Sequence, residues 1–133
     1  MTDEGVPKRI LCIEDDPEMI DLIRLILERR GFRVQGAEGG RAGLEAVIAS
    51  PPDLVLLDLM MPDMDGWDVY QQMKANESTR RVPVIIVTAS GQNIDREFGI
   101  QIAKVDDYIV KPFSPQDLLA SVERVLRGEA ASA

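Results

Sequence analysis

The sequence predicts an α/β fold built on a parallel sheet, and three observations support it. Five short runs rich in valine, isoleucine and leucine recur along the 133 residues, with segments of helical spacing between them. Three of these runs are apolar almost throughout, which is typical of strands buried on both faces of a parallel sheet. Capping residues and prolines begin the first and last helical segments. The pattern is therefore a strand followed by a helix, repeated five times.

The predicted strands alternate with the predicted helices in chain order. They are RILCIE (Arg9 to Glu14), RVQGA (Arg33 to Ala37), LVLLD (Leu54 to Asp58), VPVIIVTA (Val82 to Ala89) and YIVK (Tyr108 to Lys111). Because each strand returns in the same direction, their carboxyl ends are expected to share one edge of the sheet, where open α/β folds bind ligands.

The first and last helices have the clearest boundaries. Asp16 and Pro17 provide an N-cap and a first turn, and Gly31 is placed to end the first helix. Ser114 and Pro115 begin the last helix in the same way. Each helix has an apolar stripe that is expected to face the core: Met19, Ile20, Ile23, Ile26 and Leu27 in the first, and Leu118, Leu119, Val122, Val125 and Leu126 in the last.

The composition fits a single domain. Of the residues, 45% are hydrophobic and 29% charged, and the length leaves no room for a second folded domain. We expect the domain over residues 8–127, with flexible termini at 1–7 and 128–133. The net charge of −8 disfavours direct binding to nucleic acid or to an anionic membrane. No membrane-spanning run or signal peptide is evident, so we expect a cytoplasmic protein.

Two residue types limit the chemistry. The single cysteine, Cys12, lies in an apolar run and is predicted to pack in the core. Histidine is absent from the sequence. This excludes Ser/His/Asp triads, histidine-ligated zinc and any phosphohistidine carried by the chain itself. The chemistry must therefore depend on carboxylates, hydroxyls and lysine.

Polar residues end four of the five predicted strands. Carboxylates within about 5 Å of one another repel by roughly 3 kcal/mol per pair, so the arrangement is unfavourable unless a cation or a proton intervenes. An all-oxygen donor set without histidine or thiolate suits Mg²⁺, or Mn²⁺. The candidate residues are Glu14, Asp15 and Asp16 at the end of the first strand, Asp58 at the end of the third, Thr88 at the end of the fourth and Lys111 at the end of the fifth.

Asp58 is the predicted nucleophile. A carboxylate at the end of a buried strand is costly, and a carboxylate can accept a phosphoryl group as an aspartyl phosphate. In this interpretation Asp15 binds the metal and Glu14 assists, directly or through water. Lys111 pairs with Asp58 or with the phosphoryl oxygens, and the Thr88 hydroxyl donates to the phosphate. Taken singly, each residue also fits a helix cap, a strand end or a surface charge.

Four segments together closely resemble the receiver domain of two-component response regulators, including stand-alone members of the chemotaxis type. They are ILCIEDDP, LLDLMMPDMDG, VIIVTA and DDYIVKPF, in the order and spacing of that family. The resemblance extends from about Lys8 to Arg127. It implies a flavodoxin-like three-layer sandwich with five helices and a parallel sheet of order 2-1-3-4-5.

The resemblance also implies a function. A sensor histidine kinase or a phosphotransfer protein phosphorylates Asp58 with Mg²⁺, and the phosphoaspartate hydrolyses slowly. The face formed by the fourth helix, the fifth strand and the fifth helix then changes and controls a protein partner. Such a protein is a switch rather than a metabolic enzyme.

The family pattern assigns metal ligands to single positions. They are Asp15, Asp58 and the backbone carbonyl of Met60, with Glu14 in the outer acidic position. Family members often have aspartate there, and the longer side chain of Glu14 could alter the metal geometry.

Three further expectations concern the switch and the backbone. In the family, Thr88 and Tyr108 move together on phosphorylation, although Tyr108 also fits a simple strand position. The bond between Lys111 and Pro112 is often cis, which would aim the ammonium at the site. Where the family commonly has glycine, in a GADDY stretch, this chain has Lys104 in KVDDY. If this position requires a left-handed backbone, lysine is disfavoured by roughly 1 kcal/mol and the fourth helix ends differently.

The segment DMDG imitates the centre of a calcium-binding EF-hand loop. Aligning Gly66 with the sixth loop position places Met61 first and Gln72 twelfth, where an EF-hand needs carboxylates. We therefore interpret Asp63, Asp65 and Gly66 as a turn that caps the next helix.

Other interpretations are weaker or stay open. A phosphatase of the haloacid dehalogenase class needs an aspartate where this chain has Met60. The Gly39 and Gly40 pair lacks the spacing of a phosphate-binding loop. A receiver fold that no longer accepts phosphate and acts only as a docking module stays open. The sequence identifies neither the kinase nor the target, nor whether the chain is a fragment, and we expect a monomer or a weak phosphorylation-dependent dimer.

Overall fold

A computed structural model describes residues 6–89 and 98–129. They form one parallel sheet of five strands, in the order β2-β1-β3-β4-β5. The predicted fold class and strand order are confirmed. The strands are β1 (Arg9–Glu14), β2 (Arg33–Glu38), β3 (Leu54–Leu57), β4 (Val84–Thr88) and β5 (Asp107–Val110). The terminal residues 1–5 and 130–133, part of the termini predicted to be flexible, lie outside the described residues.

Five helical elements accompany the sheet in the described residues. They are α1 (Pro17–Glu28), α2 (Gly40–Ala49), α3 (Gly66–Ala75), a π-helical turn (Phe98–Ile102) and the C-terminal helix (Pro115–Leu126). The π-helical turn follows residues 90–97, which lie outside the described residues and fall between the fourth and fifth predicted strands, where the fourth helix is expected. None of the described helices is long and apolar enough to cross a membrane.

Both faces of the sheet are covered, which explains the continuous apolar strands. Leu11, Leu57 and Ile86 belong to one buried cluster, together with residues of α2 and α3. Cys12 and Ile85 belong to the other, together with residues of α1 and the C-terminal helix. Successive residues of a strand point to opposite faces, so a strand in the middle of this sheet needs apolar residues at every position.

The helix caps are largely those that the sequence predicts. The Asp16 carboxylate accepts a hydrogen bond from the backbone of Glu18, and α1 begins with Pro17. The Ser114 hydroxyl accepts one from the backbone of Asp117 at the start of the C-terminal helix. Such caps satisfy N–H groups that have no partner inside the helix.

The strand order determines where ligands are expected to bind at the edge of the sheet. β1 pairs with β2 on one side and with β3 on the other. Successive strands are therefore added on opposite sides of β1, and the strand order changes direction there. Ile13 and Leu57 are paired at the carboxyl end of this junction. Open parallel sheets bind ligands at such a point, so the residues that follow Ile13 and Leu57 form the candidate site.

Cys12 is expected to be almost unreactive in the folded protein at pH 8. Burial raises the pKa of its thiol to about 12, and the charge of Glu14 also raises it. Only about one thiol in ten thousand is then ionised at pH 8, against roughly one in four for an exposed cysteine. Alkylation by iodoacetamide, followed by mass spectrometry, should be fast only in guanidinium. Fast alkylation of the native protein would show that the side chain is accessible.

Lys104 has a left-handed backbone, which is the condition under which lysine is disfavoured at this position. Its φ angle is +65°, and it is the only residue other than glycine with a positive φ in the described part of the chain. Lys104 follows the π-helical turn, and hydrogen bonds on either side of it, from the Ala103 N–H to the Phe98 carbonyl and from the Val105 N–H to the Gly99 carbonyl, are each 2.8 Å long. The lysine therefore occupies a backbone conformation that favours glycine.

We expect Lys104→Gly to raise the free energy of unfolding by about 0.5 to 1 kcal/mol. Relief of the left-handed conformation gains about 1 to 2 kcal/mol, and the greater freedom of glycine in the unfolded chain returns part of it. Urea denaturation measures the change. Lys8→Gly, at an exposed position without positive φ, is the control and should be neutral or destabilising. A loss of stability in Lys104→Gly would contradict the argument.

Candidate functional site

Three carboxylates meet at the carboxyl ends of β1 and β3. Glu14 is the last residue of β1, Asp15 follows it, and Asp58 follows β3. Each offers an oxygen that lies within 4.8 Å of the other two. Glu14 and Asp58 are buried, at 2% and 5% exposure, while Asp15 is exposed. The structure therefore brings together the three acidic residues that the sequence selects.

Lys111 lies beside two of these carboxylates. Its Nζ is 2.5 Å from Glu14 Oε1 and 3.6 Å from Asp58 Oδ2. Burial lowers the pKa of Lys111, but the hydrogen bond to Glu14 and the charges of Asp58 and Glu14 outweigh it, so the net shift is upward. The bond between Lys111 and Pro112 is cis, as the resemblance implies. The lysine therefore stays charged, and its shorter contact is with Glu14 rather than with Asp58.

The charges of the cluster do not balance. Burial raises the pKa of Glu14 to about 7, and the neighbouring Asp58 also raises it, whereas the hydrogen bond from Lys111 lowers it. Two buried carboxylates and a third at the surface face one ammonium group. Added positive charge is therefore favourable here, and the oxygen-only donor set fits the ligand preference of Mg²⁺.

Backbone contacts fix Asp58 and the loop that follows it, here called the β3–α3 loop (residues 58–65). The Asp58 N–H donates to the Ile13 carbonyl at 3.0 Å, which ties the loop to β1. The Met60 N–H donates to Asp58 Oδ1 at 3.2 Å. The Gly66 N–H donates to the Leu59 carbonyl at 3.0 Å and closes the loop. Asp58 is therefore held by its neighbours on both sides.

Thr88 is the last residue of β4 and is fully buried. Its Oγ1 has no hydrogen-bond partner within the part of the chain that the structure describes. An unsatisfied buried hydroxyl costs about 1 to 3 kcal/mol, and such groups often mark functional positions. The Lys111 N–H donates to the Thr88 carbonyl at 2.8 Å, so the two candidate residues are joined through the backbone.

Tyr108 lies in β5, opposite Ile86 of β4, and is buried. A Cβ atom at Gly99 would lie 3.2 Å from Tyr108 Cδ2, so the ring packs against the π-helical turn. This environment fits the alternative of a simple core position, and the role of Tyr108 in switching stays a prediction.

The structure corrects the interpretation of Asp63. Asp65 caps α3, since its Oδ1 accepts a hydrogen bond from the Trp67 N–H at 2.7 Å. Asp63 does not cap that helix. Its two carboxylate oxygens accept hydrogen bonds from the N–H groups of Gly40 and Arg41, at 3.0 and 3.1 Å, at the start of α2. The sequence signal for this contact is weak: Gly39, at the N-cap of α2, has no side chain that could cap the helix.

A buried network around Asp107 also has no counterpart among the sequence predictions. Asp107 Oδ2 accepts a hydrogen bond from Ser121 Oγ at 2.6 Å and pairs with the Arg124 guanidinium. It joins β5 to the C-terminal helix. No local pattern predicts it, because its residues are separated by 14 and 17 positions along the chain.

The family comparison agrees with the geometry of the site. The family model described as "Response regulator receiver domain" matches residues 10–123. The DNA-binding dual master transcriptional regulator RpaA of Synechocystis sp. is 42% identical over 119 residues, which are 90% of this chain and 49% of that protein. The phosphate regulon transcriptional regulatory protein PhoB of Escherichia coli is 37% identical over 120 residues, 90% of this chain and 52% of that protein. The chain spans about half the length of these relatives.

Solved structures agree in fold. The N-terminal domain of a response regulator receiver protein from Methanoculleus marisnigri has a TM-score of 0.72 and 39% identity, covering 90% of this chain and 96% of that one. The receiver domain of sensor histidine kinase PA1611 from Pseudomonas aeruginosa has a TM-score of 0.82 and 31% identity, covering 92% and 99%. That structure has a magnesium ion coordinated in its active-site cleft. The chain described here belongs to the response regulator receiver domain family.

Proposed function

We propose that this chain is a signalling switch that accepts a phosphoryl group on Asp58 with the help of Mg²⁺. One observation carries the proposal. Asp58, at 5% exposure, shares a cluster of carboxylate oxygens within 4.8 Å with Glu14 and Asp15, and Lys111 lies against it. A buried carboxylate beside a cation site and a lysine is suited to nucleophilic attack on phosphorus.

The proposed reaction is a transfer between two carriers. A carboxylate oxygen of Asp58 attacks the phosphorus of a phosphohistidine on a sensor histidine kinase or a phosphotransfer protein. The new P–O bond forms as the P–N bond breaks, and the imidazole leaves with the electron pair. The ammonium of Lys111 balances negative charge on the phosphoryl oxygens, and the Thr88 hydroxyl, which has no partner among the described residues, donates to one of them.

The acidic residues are proposed to hold Mg²⁺. Asp15 and Asp58 would ligate it together with the Met60 carbonyl, and Glu14 would assist from its outer position. When bound, Mg²⁺ neutralises charge that develops on the transferring phosphoryl group. The magnesium ion of the Pseudomonas aeruginosa relative supports Mg²⁺, and we do not extend the proposal to Mn²⁺.

The switch is proposed to reset itself. Water attacks the phosphorus of the phosphoaspartate, the P–O bond to Asp58 breaks, and phosphate and the carboxylate are regained. The chain then catalyses only its own phosphorylation and slow dephosphorylation. Phosphorylation is proposed to move Thr88 and Tyr108 and to change the face of the fourth helix, β5 and the C-terminal helix, where a protein target binds.

Partners follow from the same proposal. RpaA is described as DNA-binding, and this chain spans 49% of its length. DNA binding is not proposed for the receiver domain itself, in agreement with the expectation from its charge of −8. A weak dimer on the switching face is compatible with Ile102, which is 68% exposed, whereas Val105 is buried.

The test is the intact mass of the protein after incubation with acetyl phosphate, with and without Mg²⁺. We expect a Mg²⁺-dependent gain of one phosphoryl group in the wild type and in Asp68→Asn, and none in Asp58→Asn. Asp68 is an exposed residue of α3, so its variant controls for the loss of one charge. Uptake by Asp58→Asn at the wild-type rate would contradict the assignment. No uptake by the wild type or by either variant would favour a receiver fold that acts only as a docking module.

A further inference from the structure

The turn before α2 joins two halves of the candidate site. The Gly39 N–H donates to the backbone carbonyl of Glu14 at 3.2 Å. The next two N–H groups, of Gly40 and Arg41, donate to the two carboxylate oxygens of Asp63 at 3.0 and 3.1 Å. Asp63 belongs to the β3–α3 loop that begins at Asp58. One turn thus binds the end of β1 and the middle of this loop.

The two glycines allow the close approach. Gly39 has a φ of +105°, and a Cβ atom there would lie 3.0 Å from Asp63 Oδ2. A Cβ atom at Gly40 would lie 2.7 Å from Met64 Cβ and 3.2 Å from the Met64 carbonyl oxygen. Larger residues would push the β3–α3 loop away from the turn. The Gly39 and Gly40 pair, which lacks the pattern of a phosphate-binding loop, therefore has a structural reason.

The charge of Asp63 is matched to its position. The first N–H groups of a helix lack partners within the helix and carry partial positive charge, so a carboxylate is favourable there. No side chain of α2 itself caps this end. The hydrogen bonds from Gly40 and Arg41 lower the pKa of the exposed Asp63 carboxyl, so it is ionised at neutral pH. The contact acts as a cap supplied by a different segment of the chain.

We infer that Asp63 is a positioning residue for phosphoryl transfer, which holds the β3–α3 loop against the turn bonded to Glu14. This inference rests on the proposed function. The loop carries Asp58 at its start and Met60 two residues later, and Met60 is 63% exposed, so burial does not hold that residue in place. Asp63 keeps both in register with the acidic end of β1.

The β3–α3 loop has other anchors besides this contact. The loop is tied at its ends by the bond from the Asp58 N–H to the Ile13 carbonyl and by the bond from the Gly66 N–H to the Leu59 carbonyl. Met61, in its middle, is buried. Loss of the Asp63 carboxylate is therefore expected to loosen the loop while the protein remains folded.

The experiment compares the wild type with Asp63→Ala and Asp63→Asn. Initial rates of phosphoryl uptake from acetyl phosphate are measured at saturating Mg²⁺, and the Mg²⁺ dissociation constant is measured by titration calorimetry. We expect Asp63→Ala to lower the rate about tenfold and to weaken Mg²⁺ binding several-fold, because displaced reacting groups lose rate steeply. Asp63→Asn keeps one acceptor oxygen and should be intermediate. Asp68→Ala removes the same charge from an exposed position and should match the wild type.

Each result decides one question. Wild-type rate and Mg²⁺ affinity in Asp63→Ala would overturn the inference. A rate lowered only by the fraction of unfolded protein, measured by urea denaturation, would show a purely structural role and overturn it as well. Lack of uptake by the wild type would refute the proposed function instead, and the Mg²⁺ affinities of the Asp63 variants would still test whether Asp63 positions the loop.

Discussion

Replacing Lys111 by methionine is expected to lower the rate of phosphoryl uptake about a hundredfold and to lower the free energy of unfolding of the metal-free protein by about 2 kcal/mol. Removing one preorganised donor to a developing charge typically costs a factor of about 10² to 10³ in rate. Lys111 lies 2.5 Å from Glu14 Oε1 and 3.6 Å from Asp58 Oδ2, with 16% of its side chain exposed. Methionine is one heavy atom shorter than lysine, so it keeps most of the apolar stem while it removes the charge and the donors.

The same change should destabilise the metal-free protein. Removing one member of a buried ion pair leaves an uncompensated charge, and we expect a loss of about 2 kcal/mol because the cluster is partly open to water at Asp15. The loss depends on pH. Burial raises the pKa of Glu14 to about 7, and the hydrogen bond from Lys111 is one of the effects that lower it, so this pKa should rise further in the variant.

The sign of the pH dependence follows. Between the unfolded value near 4.5 and the folded value, the folded state binds more protons than the unfolded state, so the contribution of Glu14 to stability falls as pH rises. This pH range is wider in the variant, because the pKa of Glu14 is higher there. The gap in free energy of unfolding between variant and wild type should therefore be larger at pH 8 than at pH 6. Mg²⁺ should narrow the gap at pH 8, since it replaces the lost positive charge.

Urea denaturation at both pH values, in EDTA and in Mg²⁺, measures these differences. Lys8→Met is the matched control, because Lys8 is exposed and has no ion pair within the described residues. A gap that is equal at both pH values and unaffected by Mg²⁺ would show that Lys111 does not balance the charge of Glu14 and Asp58.

The strands and the acidic edge could be predicted from the sequence because both follow from short-range rules. A strand covered on both faces has apolar residues at every position, as in Leu54–Leu57, and its exit residue lies at the ligand edge whatever the loop lengths are. Glu14, Asp15 and Asp58 follow from this rule on β1 and β3. Lys111 and Thr88 follow from the same rule on β5 and β4.

The contacts between loops could not be predicted in this way. Asp63 lies 23 positions from Gly40, and nothing in its own segment distinguishes a cap of α3 from a cap of α2. Only the packing of the β3–α3 loop on the turn before α2 decides between them. The shorter contact of Lys111, with Glu14 rather than Asp58, likewise depends on side-chain positions in three dimensions. Sequence patterns therefore bring together the residues of the candidate site better than they assign partners within it.

Gly66→Ala is expected to lower the free energy of unfolding by about 3 kcal/mol and to displace the β3–α3 loop. A Cβ atom at Gly66 would lie 2.3 Å from the Asp58 carbonyl oxygen and 2.6 Å from Leu59 Cα. Both are backbone atoms and cannot move by a change of rotamer, so relief of the clash requires a shift of the backbone that carries Asp58. The φ angle of Gly66 is not positive, and the cost is therefore steric rather than conformational.

Gly31→Ala separates these two costs. Gly31 has a φ of +90°, and a Cβ atom there meets nothing within 4 Å, so this variant should lose only about 1 kcal/mol. Urea denaturation ranks the two variants, and phosphoryl uptake from acetyl phosphate, corrected for the folded fraction, should fall only in Gly66→Ala. Equal losses of stability with unchanged uptake would mean that the β3–α3 loop accommodates the methyl group without moving Asp58. In that case the position of Asp58 would depend on its bond to β1 rather than on the packing of Gly66.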